Sequence, residues 1–214
     1  MEPPPLVHEP WTAFDGLRHG FLPGGVEPET PVSRPRQVHG TRVVTANPSG
    51  DRPEADGLVT AARGTLVGVT TADCVPVLLA APVACVAAAV HAGWRGAAAG
   101  VVEAAIAHLR TFGVEPATLE ACLGPAIGPC CYEVGPEVRA AFVARSSDVT
   151  AAAWSRRRDH DVLDLRRAVR ALLEAAGVSR VAVVGPCTRC TPELCSYRRD
   201  GSNAGRQVSF IGWA

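Results

Sequence analysis

Short apolar runs in the middle of the chain predict strands that are buried on both faces. Leu66 to Thr71, Val75 to Ala80 and Val83 to Val90 are rich in valine and are bounded by polar residues or prolines. Such runs, without strict alternation, are typical of strands that are covered on both sides of a sheet. Thr41 to Ala46 and Asp56 to Thr60 predict two shorter strands before them. The turn between those two is predicted at residues 47–55, and three later strands at residues 118–123, 180–184 and 207–211.

Helical periodicity marks three segments further along the chain. Ala97 to Phe112 follows a glycine-rich turn and predicts one helix. Leu165 to Ala176 predicts another, with Asp164 as its N-cap and Gly177 as its stop. Pro136 to Arg145 predicts a third helix. Because strands and helices alternate irregularly, the pattern predicts an α/β to α+β fold with mixed sheets.

The length of 214 residues suits a single domain covering residues 1–214, since no linker or repeat divides the chain. Residues 1–35 are expected to be largely irregular because prolines are frequent there. The head of the chain has no apolar core of the kind that a signal peptide needs, so a cytoplasmic location is expected. Asp73, Pro76 and Pro82 interrupt the longest apolar stretch, which argues against a membrane span.

Composition narrows the classes of function. The chain has 21 basic and 21 acidic residues, so its formal charge is zero and neither nucleic acid nor an anionic membrane is an expected partner. It contains no lysine, which excludes Schiff-base chemistry and a P-loop lysine. An anionic substrate must therefore be bound by arginine, backbone N–H groups or a metal. The eight cysteines are expected to be thiols or metal ligands.

Three candidate metal ligands each end an apolar or strand-like run: His39, Cys74 and His91. Ends of strands are where such folds place reactive groups. Two imidazoles and one thiolate would bind tetrahedral zinc and leave a fourth position open, as in catalytic zinc sites. On chemistry alone the alternative remains open that these are a buried cysteine and two histidines in ordinary hydrogen bonds.

The segment from His91 to Gly100 predicts an anion site. Gly93, Gly96 and Gly100 permit a tight turn into a helix, whose first N–H groups would face an anion, and Arg95 adds a fixed charge. The alternative is that the glycines only allow close packing of a strand and a helix.

Two further features are candidates for the walls of a site. Residues 123–135 contain too many turn formers for regular structure and predict a rigid loop. Arg198 and Arg206 lie in arginine-rich turns and are candidates for a second anion contact, although a solvated surface turn is the alternative. Cys187 and Cys190, with Cys195 nearby, are interpreted as structural thiols because no fourth ligand follows at a usable spacing.

Several of these segments together resemble one family, the YfiH-type proteins, also called multicopper polyphenol oxidoreductases (laccases) and peptidoglycan editing factors. The matching stretches are Gln37-Val-His-Gly40, Ala55-Asp-Gly-Leu-Val-Thr60, Thr71-Ala-Asp-Cys74, Val90-His-Ala-Gly-Trp-Arg-Gly96, Gly124-Pro-Ala-Ile-Gly-Pro129, Tyr132-Glu-Val-Gly135 and Ser196-Tyr-Arg-Arg-Asp-Gly201.

The resemblance implies layered mixed sheets with flanking helices and a zinc site formed by His39, Cys74 and His91. It also implies phosphorolysis of purine nucleosides (adenosine, inosine, guanosine and methylthioadenosine), with adenosine deamination as a companion activity. Nucleoside and phosphate would be the small-molecule partners. The cysteine-rich segment near Cys187 departs from the family, and Cys130 or Cys131 could supply a fourth zinc ligand.

The copper label fits the chain poorly. A multicopper oxidase needs many histidines, mostly in His-x-His pairs, whereas this chain has six histidines and no such pair. A single copper ion at the proposed zinc site is chemically feasible, and we interpret it as adventitious.

Within the implied mechanism, zinc would polarise the substrate or activate water, and phosphate would bind near Arg95 and Gly96, with weaker contacts from Arg198 and Arg206. Asp73 would orient Cys74 or transfer a proton, or it would only cap the following turn. Two other functions stay open. One is a Cys–His hydrolase for peptidoglycan precursors, with Cys74 as nucleophile and His91 or His39 as base. The other is a non-enzymatic zinc-binding module.

Overall fold

Mixed β-sheets and short helices alternate along the chain. The computed structural model describes residues 5–47 and 52–214. The turn predicted at residues 47–55 therefore lies partly outside the described residues. The strands within these ranges are β1 Leu17–Phe21, β2 Val32–Ser33, β3 Val43–Thr45, β4 Gly57–Thr60, β5 Leu66–Thr71, β6 Val75–Ala81, β7 Val86–Ala92, β8 Glu120–Leu123, β9 Glu133–Val134, β10 Trp154–Arg157, β11 His160–Leu163, β12 Arg180–Val183 and β13 Gln207–Trp213. The α-helices are α1 Trp94–Ala99, α2 Val101–Arg110, α3 Pro136–Thr150, α4 Leu165–Ala175 and α5 Tyr197–Asp200.

The strands form three sheets. The largest has the order β12-β8-β6-β7-β4-β3, with antiparallel pairs in its centre and a parallel pair at each edge. The second has the order β1-β13-β5-β2 and the third β10-β11-β9. The predicted fold class, layered mixed sheets flanked by helices, is confirmed. None of the described helices is long and apolar enough to span a bilayer.

The six-stranded sheet is the middle layer, and both of its faces are buried. Along β6, Leu78 and Ala80 pack with β5 and β13 of the four-stranded sheet. Val77 and Leu79 point the other way, into a cluster with helices α1 to α4. Successive side chains of a strand face opposite sides of the sheet, so a strand covered on both sides must be apolar throughout. This requirement explains the valine-rich runs.

Helix α4 illustrates how local sequence fixes an element. The Asp164 carboxylate accepts a hydrogen bond from the N–H of Arg167 at 3.1 Å, which confirms the predicted N-cap. Leu165, Val169 and Leu173 are buried on one face against the six-stranded sheet and its neighbouring helices. The opposite face carries arginines, so the helix is amphipathic in the sense that the sequence predicted.

The structure corrects several predicted boundaries. The helix predicted from Ala97 to Phe112 is two helices, because Gly100 has φ = 105° and separates α1 from α2. Strand β7 begins at Val86 rather than Val83, which is 97% exposed in the preceding turn. Helix α3 continues to Thr150, but its geometry is non-helical at Ser146, just beyond the predicted end.

Part of the predicted irregular segment, residues 1–35, is regular structure. Strand β1 pairs antiparallel with β13 over its whole length, from Leu17 opposite Trp213 to Phe21 opposite Ser209. Trp11, in a short 3-10 turn before β1, is fully buried and donates a hydrogen bond from Nε1 to Glu120 at 2.8 Å. The start of the described chain is thus packed into the body of the fold.

Candidate metal-binding cleft

Strand pairing brings the three predicted metal ligands together. His91 is near the end of β7, and Cys74 immediately precedes β6, which pairs antiparallel with β7 so that Val75 lies opposite Ala92. His39 comes from the loop before β3. One ligand atom from each of these three residues lies within 4.8 Å of the other two. The sequence prediction that they meet at one end of the strands is therefore in agreement with the geometry.

Asp56 holds His91 and the His39 loop in place through hydrogen bonds to its carboxylate. Its fully buried carboxylate accepts a hydrogen bond from Nδ1 of His91 at 2.8 Å. It also accepts from the backbone N–H groups of His39 at 2.9 Å, Gly40 at 2.7 Å and Val38 at 3.3 Å. The bond to Nδ1 leaves Nε2 of His91 for the contact with Cys74, and the three backbone bonds fix the His39 loop. Carboxylates that hold a histidine in this way are a usual feature of metal sites.

The same contacts shift the proton affinities of the group. Burial opposes ionisation of the Cys74 thiol, but hydrogen bonds and charge from His39 and His91 outweigh it and lower its pKa to about 6. Burial likewise opposes protonation of His91, yet hydrogen bonds to Asp56 and Cys74 raise its pKa to about 9. Burial would raise the pKa of Asp56, and the hydrogen bond from His91 reverses the shift downward. Between these two pKa values, and without a metal ion, the group thus favours a Cys74 thiolate beside a protonated His91.

A small cradle beside the three side chains is kept free by Gly93. A Cβ atom at this position would lie 3.0 Å from Sγ of Cys74 and 3.1 Å from Cδ2 of His39. The space above the sulfur and the imidazole therefore depends on the missing side chain. Two imidazoles and a thiolate around such a space are a donor set that suits zinc or copper.

Two residues of the site have left-handed backbone conformations. His39 has φ = 59° and Asp73 has φ = 88°, a region that non-glycine residues adopt infrequently. Such strain persists only where the surrounding contacts hold it. In both cases these contacts are the hydrogen bonds of buried carboxylates: Asp56 holds the His39 N–H, and Asp73 is itself anchored by its side chain.

Asp73 connects three segments that surround the cleft. Its Oδ1 accepts a hydrogen bond from the hydroxyl of Thr188 at 2.6 Å, and its Oδ2 accepts from the N–H of Arg198 at 2.7 Å. Its carbonyl accepts from the N–H of Ile127 at 2.9 Å. These contacts go well beyond the alternative of a local turn cap. They make Asp73 a positioning residue for the cleft walls, and its proposed part in proton transfer stays a prediction.

The cleft above this group has a volume of about 570 Å³ and is rich in arginine. A volume of this order is typical of sites for small molecules. Arg95 is exposed on its rim with its guanidinium 4.4 Å from the centre of the Trp94 ring. Five arginines line the cleft: Arg36, Arg52, Arg95, Arg198 and Arg206. The predicted anion contacts Arg95, Arg198 and Arg206 are thus brought to one cavity.

Tyr132 forms another part of the wall, from the loop that the sequence predicted to line a site. Burial raises the pKa of its phenol well above the usual value, and the negative charges of Cys74 and Asp73 add to this shift. The guanidinium of Arg198 lies 5.2 Å from the centre of its ring and donates a hydrogen bond to the carbonyl of Glu133 at 2.9 Å. Arg198 is therefore held against the loop rather than being a free surface side chain.

Gly96 is not among the residues that line the cleft, and its predicted contact with substrate stays a prediction. It is buried under α1, where a Cβ atom would lie 2.8 Å from the carbonyl oxygen of Gly40. The alternative interpretation, close packing of backbone segments, applies to this glycine. Helix α1 is also only six residues long, so its dipole is small and adds little to the predicted anion contacts.

Cys130 and Cys131 lie in a separate group from the three candidate ligands. Their sulfur atoms are within 4.8 Å of those of Cys187 and Cys190. The idea that one of them completes the His39 site is not supported by this placement. Cys187 and Cys190, which the sequence analysis interprets as structural thiols, thus lie beside two cysteines from a distant part of the chain.

Sequence reasoning missed two residues of the site. Asp56 was visible only as an acidic residue at the start of an apolar strand, in a stretch that carried the family resemblance. A buried acid at such a position is a signal, because it needs donors to compensate for the lost water. Thr188 gave no local signal, because its contact with Asp73 joins residues 115 positions apart.

Comparison with known proteins identifies the family to which the chain belongs. Residues 23–214 match the family model described as multi-copper polyphenol oxidoreductase laccase. A purine nucleoside phosphorylase of Streptomyces coelicolor is 44% identical over 191 residues, which cover 87% of this chain and 76% of that protein. Purine nucleoside phosphorylase YfiH of Escherichia coli K12 is 39% identical over 197 residues, covering 91% and 78%.

Solved structures resemble the whole fold. The crystal structure of the hypothetical protein YfiH of Bacillus licheniformis matches with a TM-score of 0.87 and 27% identity, covering 99% of this chain and 97% of that one. YlmD of Geobacillus stearothermophilus matches with a TM-score of 0.83 and 30% identity, covering 94% and 93%.

The fold and cleft define a three-layer α/β protein with a candidate metal site at the end of its central strands. With the matches above, the chain belongs to the YfiH-type family, whose model carries the laccase description. The copper in that description is not matched by a multicopper donor set in the described residues. There the potential metal-binding groups are two histidines with one cysteine, and four cysteines.

Proposed function

We propose that the chain is a zinc-dependent purine nucleoside phosphorylase with adenosine deamination as a companion activity. The observation that carries the proposal is the convergence of His39, Cys74 and His91 at the base of an arginine-lined cleft. The names of its relatives in Streptomyces coelicolor and Escherichia coli support the phosphorylase assignment. Adenosine, inosine, guanosine and methylthioadenosine are the proposed substrates. The proposed location is the cytoplasm, where thiols stay reduced and Cys74 could serve as a thiolate ligand.

His39, Cys74 and His91 would hold the metal ion. A soft thiolate and two borderline imidazoles favour zinc over the harder cations that carboxylates select. When bound, zinc supplies a Lewis acid that can polarise a substrate oxygen or lower the pKa of a water molecule to about 7. Asp56 would keep Nε2 of His91 directed at the ion by retaining the proton on Nδ1.

Phosphate would bind to the arginines of the cleft. The chain has no lysine, and the described cleft offers Arg95, Arg198 and Arg206 close to the metal ligands. Guanidinium groups bind phosphate oxygens in pairs, which both neutralises and orients the nucleophile. Arg36 is less available, because its guanidinium is paired with Glu54.

In phosphorolysis, a phosphate oxygen forms a bond to C1′ of the ribose while the bond from C1′ to the purine nitrogen breaks. The proton that the hydrogen phosphate loses on forming the ester ends on the departing base, so the products are the free purine and ribose 1-phosphate. The residues of the cleft would contribute by holding phosphate and nucleoside in line and by limiting access of water, which would hydrolyse the nucleoside instead. Tyr132 and Trp94 provide aromatic surface in the same cleft.

The test is purine release from inosine and adenosine with and without inorganic phosphate, with ribose 1-phosphate and inosine measured as products. We expect phosphate-dependent release of base by the wild type. Cys74→Ala should lose both activity and one equivalent of zinc, whereas Cys85→Ser, a cysteine outside the cleft, should retain both. Release of free purine base that needs no phosphate would contradict phosphorolysis, whereas formation of inosine from adenosine is expected with or without phosphate.

A matched pair of arginine variants tests the phosphate contact. Arg95→Ala removes one charge-assisted hydrogen-bonding group, which is worth about 1.5–3 kcal/mol, so kcat/KM for phosphate should fall about 10- to 100-fold. Arg170→Ala removes a surface arginine that pairs with Glu174 on α4 and should leave kcat/KM unchanged. Equal values for the two variants would remove Arg95 from the proposal.

The hydrolase alternative is favoured by one specific observation. Cys74, His91 and Asp56 form a relay of thiol, imidazole and carboxylate, with the pKa of Cys74 lowered to about 6 against the effect of burial. Such an arrangement also suits a cysteine nucleophile. Chelation decides between the two: full activity on a muropeptide precursor after zinc removal would favour the hydrolase, and loss of nucleoside turnover would favour the phosphorylase. Zinc binding without any turnover would favour a binding module.

A further inference from the structure

A second group of potential metal ligands lies outside the proposed active site. It consists of the four sulfur atoms of Cys130, Cys131, Cys187 and Cys190, all within 4.8 Å of one another. We propose that these cysteines form a structural zinc site that fixes two loops of the cleft wall.

Distances between the sulfur atoms match the shell of one metal ion. Sγ of Cys190 lies 3.7 Å from Sγ of Cys130 and 3.4 Å from Sγ of Cys131. Four thiolates at about 2.3 Å from a tetrahedral zinc ion are about 3.8 Å apart. A disulfide requires about 2.05 Å, and one sulfur of Cys190 cannot bond to both neighbours at once. The arrangement therefore fits coordination better than oxidation.

The surroundings of Cys187 are those of a metal-bound thiolate. Its Sγ accepts a hydrogen bond from the N–H of Gly128 at 3.2 Å. Hydrogen bonds of this kind orient ligands and reduce the charge on the sulfur. A Cβ atom on Gly128 would approach Cys187 Cβ at 3.2 Å and Cys130 Sγ at 3.3 Å, so the glycine lets the loop come close to the cluster.

The four-sulfur composition distinguishes this site from the first. Closed sets of four cysteines are typical of structural zinc, whereas three-ligand sets leave a position for substrate. Cys130 and Cys190 are exposed, so an ion can reach the site from solvent, while Cys131 and Cys187 are partly buried. No acidic or imidazole ligand belongs to this group among the described residues.

The position of the cluster indicates what the ion would stabilise. Cys131 precedes Tyr132, and Cys187 precedes Thr188, whose hydroxyl binds Asp73. The cluster joins two segments that are distant in sequence: Cys131 and Cys130 precede Cys190 by 59 and 60 positions. Joining distant segments reduces the conformational freedom of both. Zinc here would hold the Tyr132 loop and the Thr188 segment in place around the cleft without touching substrate.

The experiment is metal analysis of the purified 214-residue chain, prepared under nitrogen without chelator, added metal or thiol reductant. Zinc and iron per chain are measured by elemental analysis and by native mass spectrometry. We expect two zinc ions in the wild type, one in Cys190→Ser and one in Cys74→Ser. Cys195→Ser, which alters a nearby cysteine outside the cluster, is the matched control and should retain two.

Two results would overturn the proposal. One is zinc content in Cys190→Ser equal to that of the wild type. The other is occupation of the cluster by iron or by a disulfide, which would appear as iron in the analysis or as a mass lower by two hydrogens with no metal. The difference in zinc content between Cys190→Ser and the wild type tests the four-cysteine site separately from the proposed phosphorylase activity. The variant should bind one zinc ion fewer than the wild type, whether or not the His39 site binds zinc.

A second measurement covers the case in which Cys190→Ser does not fold. Cobalt(II) is exchanged into Cys74→Ser, where the first site is disabled, and the sulfur-to-cobalt charge-transfer absorption is recorded. The intensity of this band rises with the number of thiolate ligands. We therefore expect the intensity of a tetrahedral cobalt ion bound by four cysteines. Absence of this band would refute the site.

Discussion

At the scale of single residues, the Asp56 carboxylate makes the most hydrogen bonds of the side chains described at the candidate metal site. Its carboxylate accepts four hydrogen bonds while it is fully removed from solvent. An unpaired buried carboxylate would be costly, so these donors are needed for folding as well as for the site. Through them, one side chain fixes both a ring orientation and a strained backbone.

Asp56→Asn should weaken metal binding. The amide keeps the shape but turns two donor hydrogens towards groups that are themselves donors. We expect zinc affinity, measured by competition with a chromophoric chelator, to fall about 10- to 100-fold, as for other residues that orient metal ligands. Asp148→Asn, an exposed substitution on α3, is the control. Unchanged affinity in Asp56→Asn would show that the carboxylate does not orient His91.

His19 predicts a pH dependence of stability. Burial lowers its pKa from 6.5 to about 4; the hydrogen bond with His8 opposes this shift, and the charge of His8 adds to it. The neutral ring accepts a hydrogen bond from the N–H of His8 at 3.1 Å and lies edge-on to Trp11. The unfolded chain binds a proton below pH 6.5, whereas the folded chain does so only near pH 4. Stability from this residue is therefore full above pH 6.5 and is lost as the pH falls towards 4.

The measurement is the free energy of unfolding in urea across this pH range, for the wild type and His19→Gln. The wild type should lose more stability than the variant between pH 6.5 and about 4, because the variant lacks the titrating ring. His160→Gln, at an exposed histidine of β11, should follow the wild type. Parallel curves for wild type and His19→Gln would contradict the assignment.

At the scale of elements, the break between α1 and α2 is set by Gly100. Its φ of 105° is one that residues with a side chain avoid, and a Cβ atom would lie 2.5 Å from Nη2 of Arg145. Arg145 donates a hydrogen bond from Nη1 to the carbonyl of Ala99 at 2.8 Å, across the same break. The glycine thus lets α1 end and lets α3 approach.

Gly100→Ala should destabilise the protein, although alanine is the better helix former. A left-handed alanine costs about 1–2 kcal/mol, and displacement of Arg145 adds to this. Gly64→Ala is the control, since Gly64 also has a positive φ, 77°, but has no atom within 4 Å of the added Cβ. Chemical denaturation should show the larger loss for Gly100→Ala. A gain in stability would mean that the two helices can join into one.

The sequence predicted an element well where the element's own residues determine its structure. It predicted an element poorly where the structure depends on partners that are distant in sequence. Strand β5, Leu66–Thr71, has its predicted bounds because its burial on both faces demands an unbroken apolar run. Strand β1 was missed because Arg18 and His19 obscure the pattern and its partner β13 is far away in sequence. The cluster of four cysteines escaped for the same reason.

The candidate metal site was predicted because each ligand ends a recognisable run, and because the family resemblance joined them. The supporting contacts could not be predicted in the same way. Thr188 and Asp73 meet only when the last third of the chain folds over β5 and β6. The packing of Gly96 against the backbone of Gly40 could not be predicted either, because a glycine-rich turn has the same sequence whether it binds an anion or packs against backbone.

At the scale of the whole molecule, one sheet supports two cores. Its alternating side chains fill a cluster shared with the four-stranded sheet on one face and a cluster shared with the helices on the other. Loss of packing in this middle layer should therefore affect both outer layers. Leu78, which is fully buried between the two sheets, is a position where this can be measured.

Leu78→Ala should lower the free energy of unfolding by about 2–5 kcal/mol, through lost burial and the cavity that remains. Val83→Ala is the control in the same hairpin, because Val83 is 97% exposed and its truncation should change stability by less than about 0.5 kcal/mol. Both values can be obtained from urea unfolding followed by circular dichroism. Similar losses for the two variants would argue against the layered packing.

The position of β13 has a consequence for how the protein is made. This strand lies between β1 and β5 in the four-stranded sheet, yet in sequence it follows all the other strands of the described residues. During synthesis, β1 and β5 emerge early and must wait for their shared neighbour, and closing so long a loop is slow. Since β13 also pairs with Thr70 and Thr71, which lead to Asp73 and Cys74, the nascent chain gains this support for its metal-binding end only when synthesis reaches β13. Until then, the apolar inner faces of β1 and β5 are exposed to chaperones and to neighbouring nascent chains.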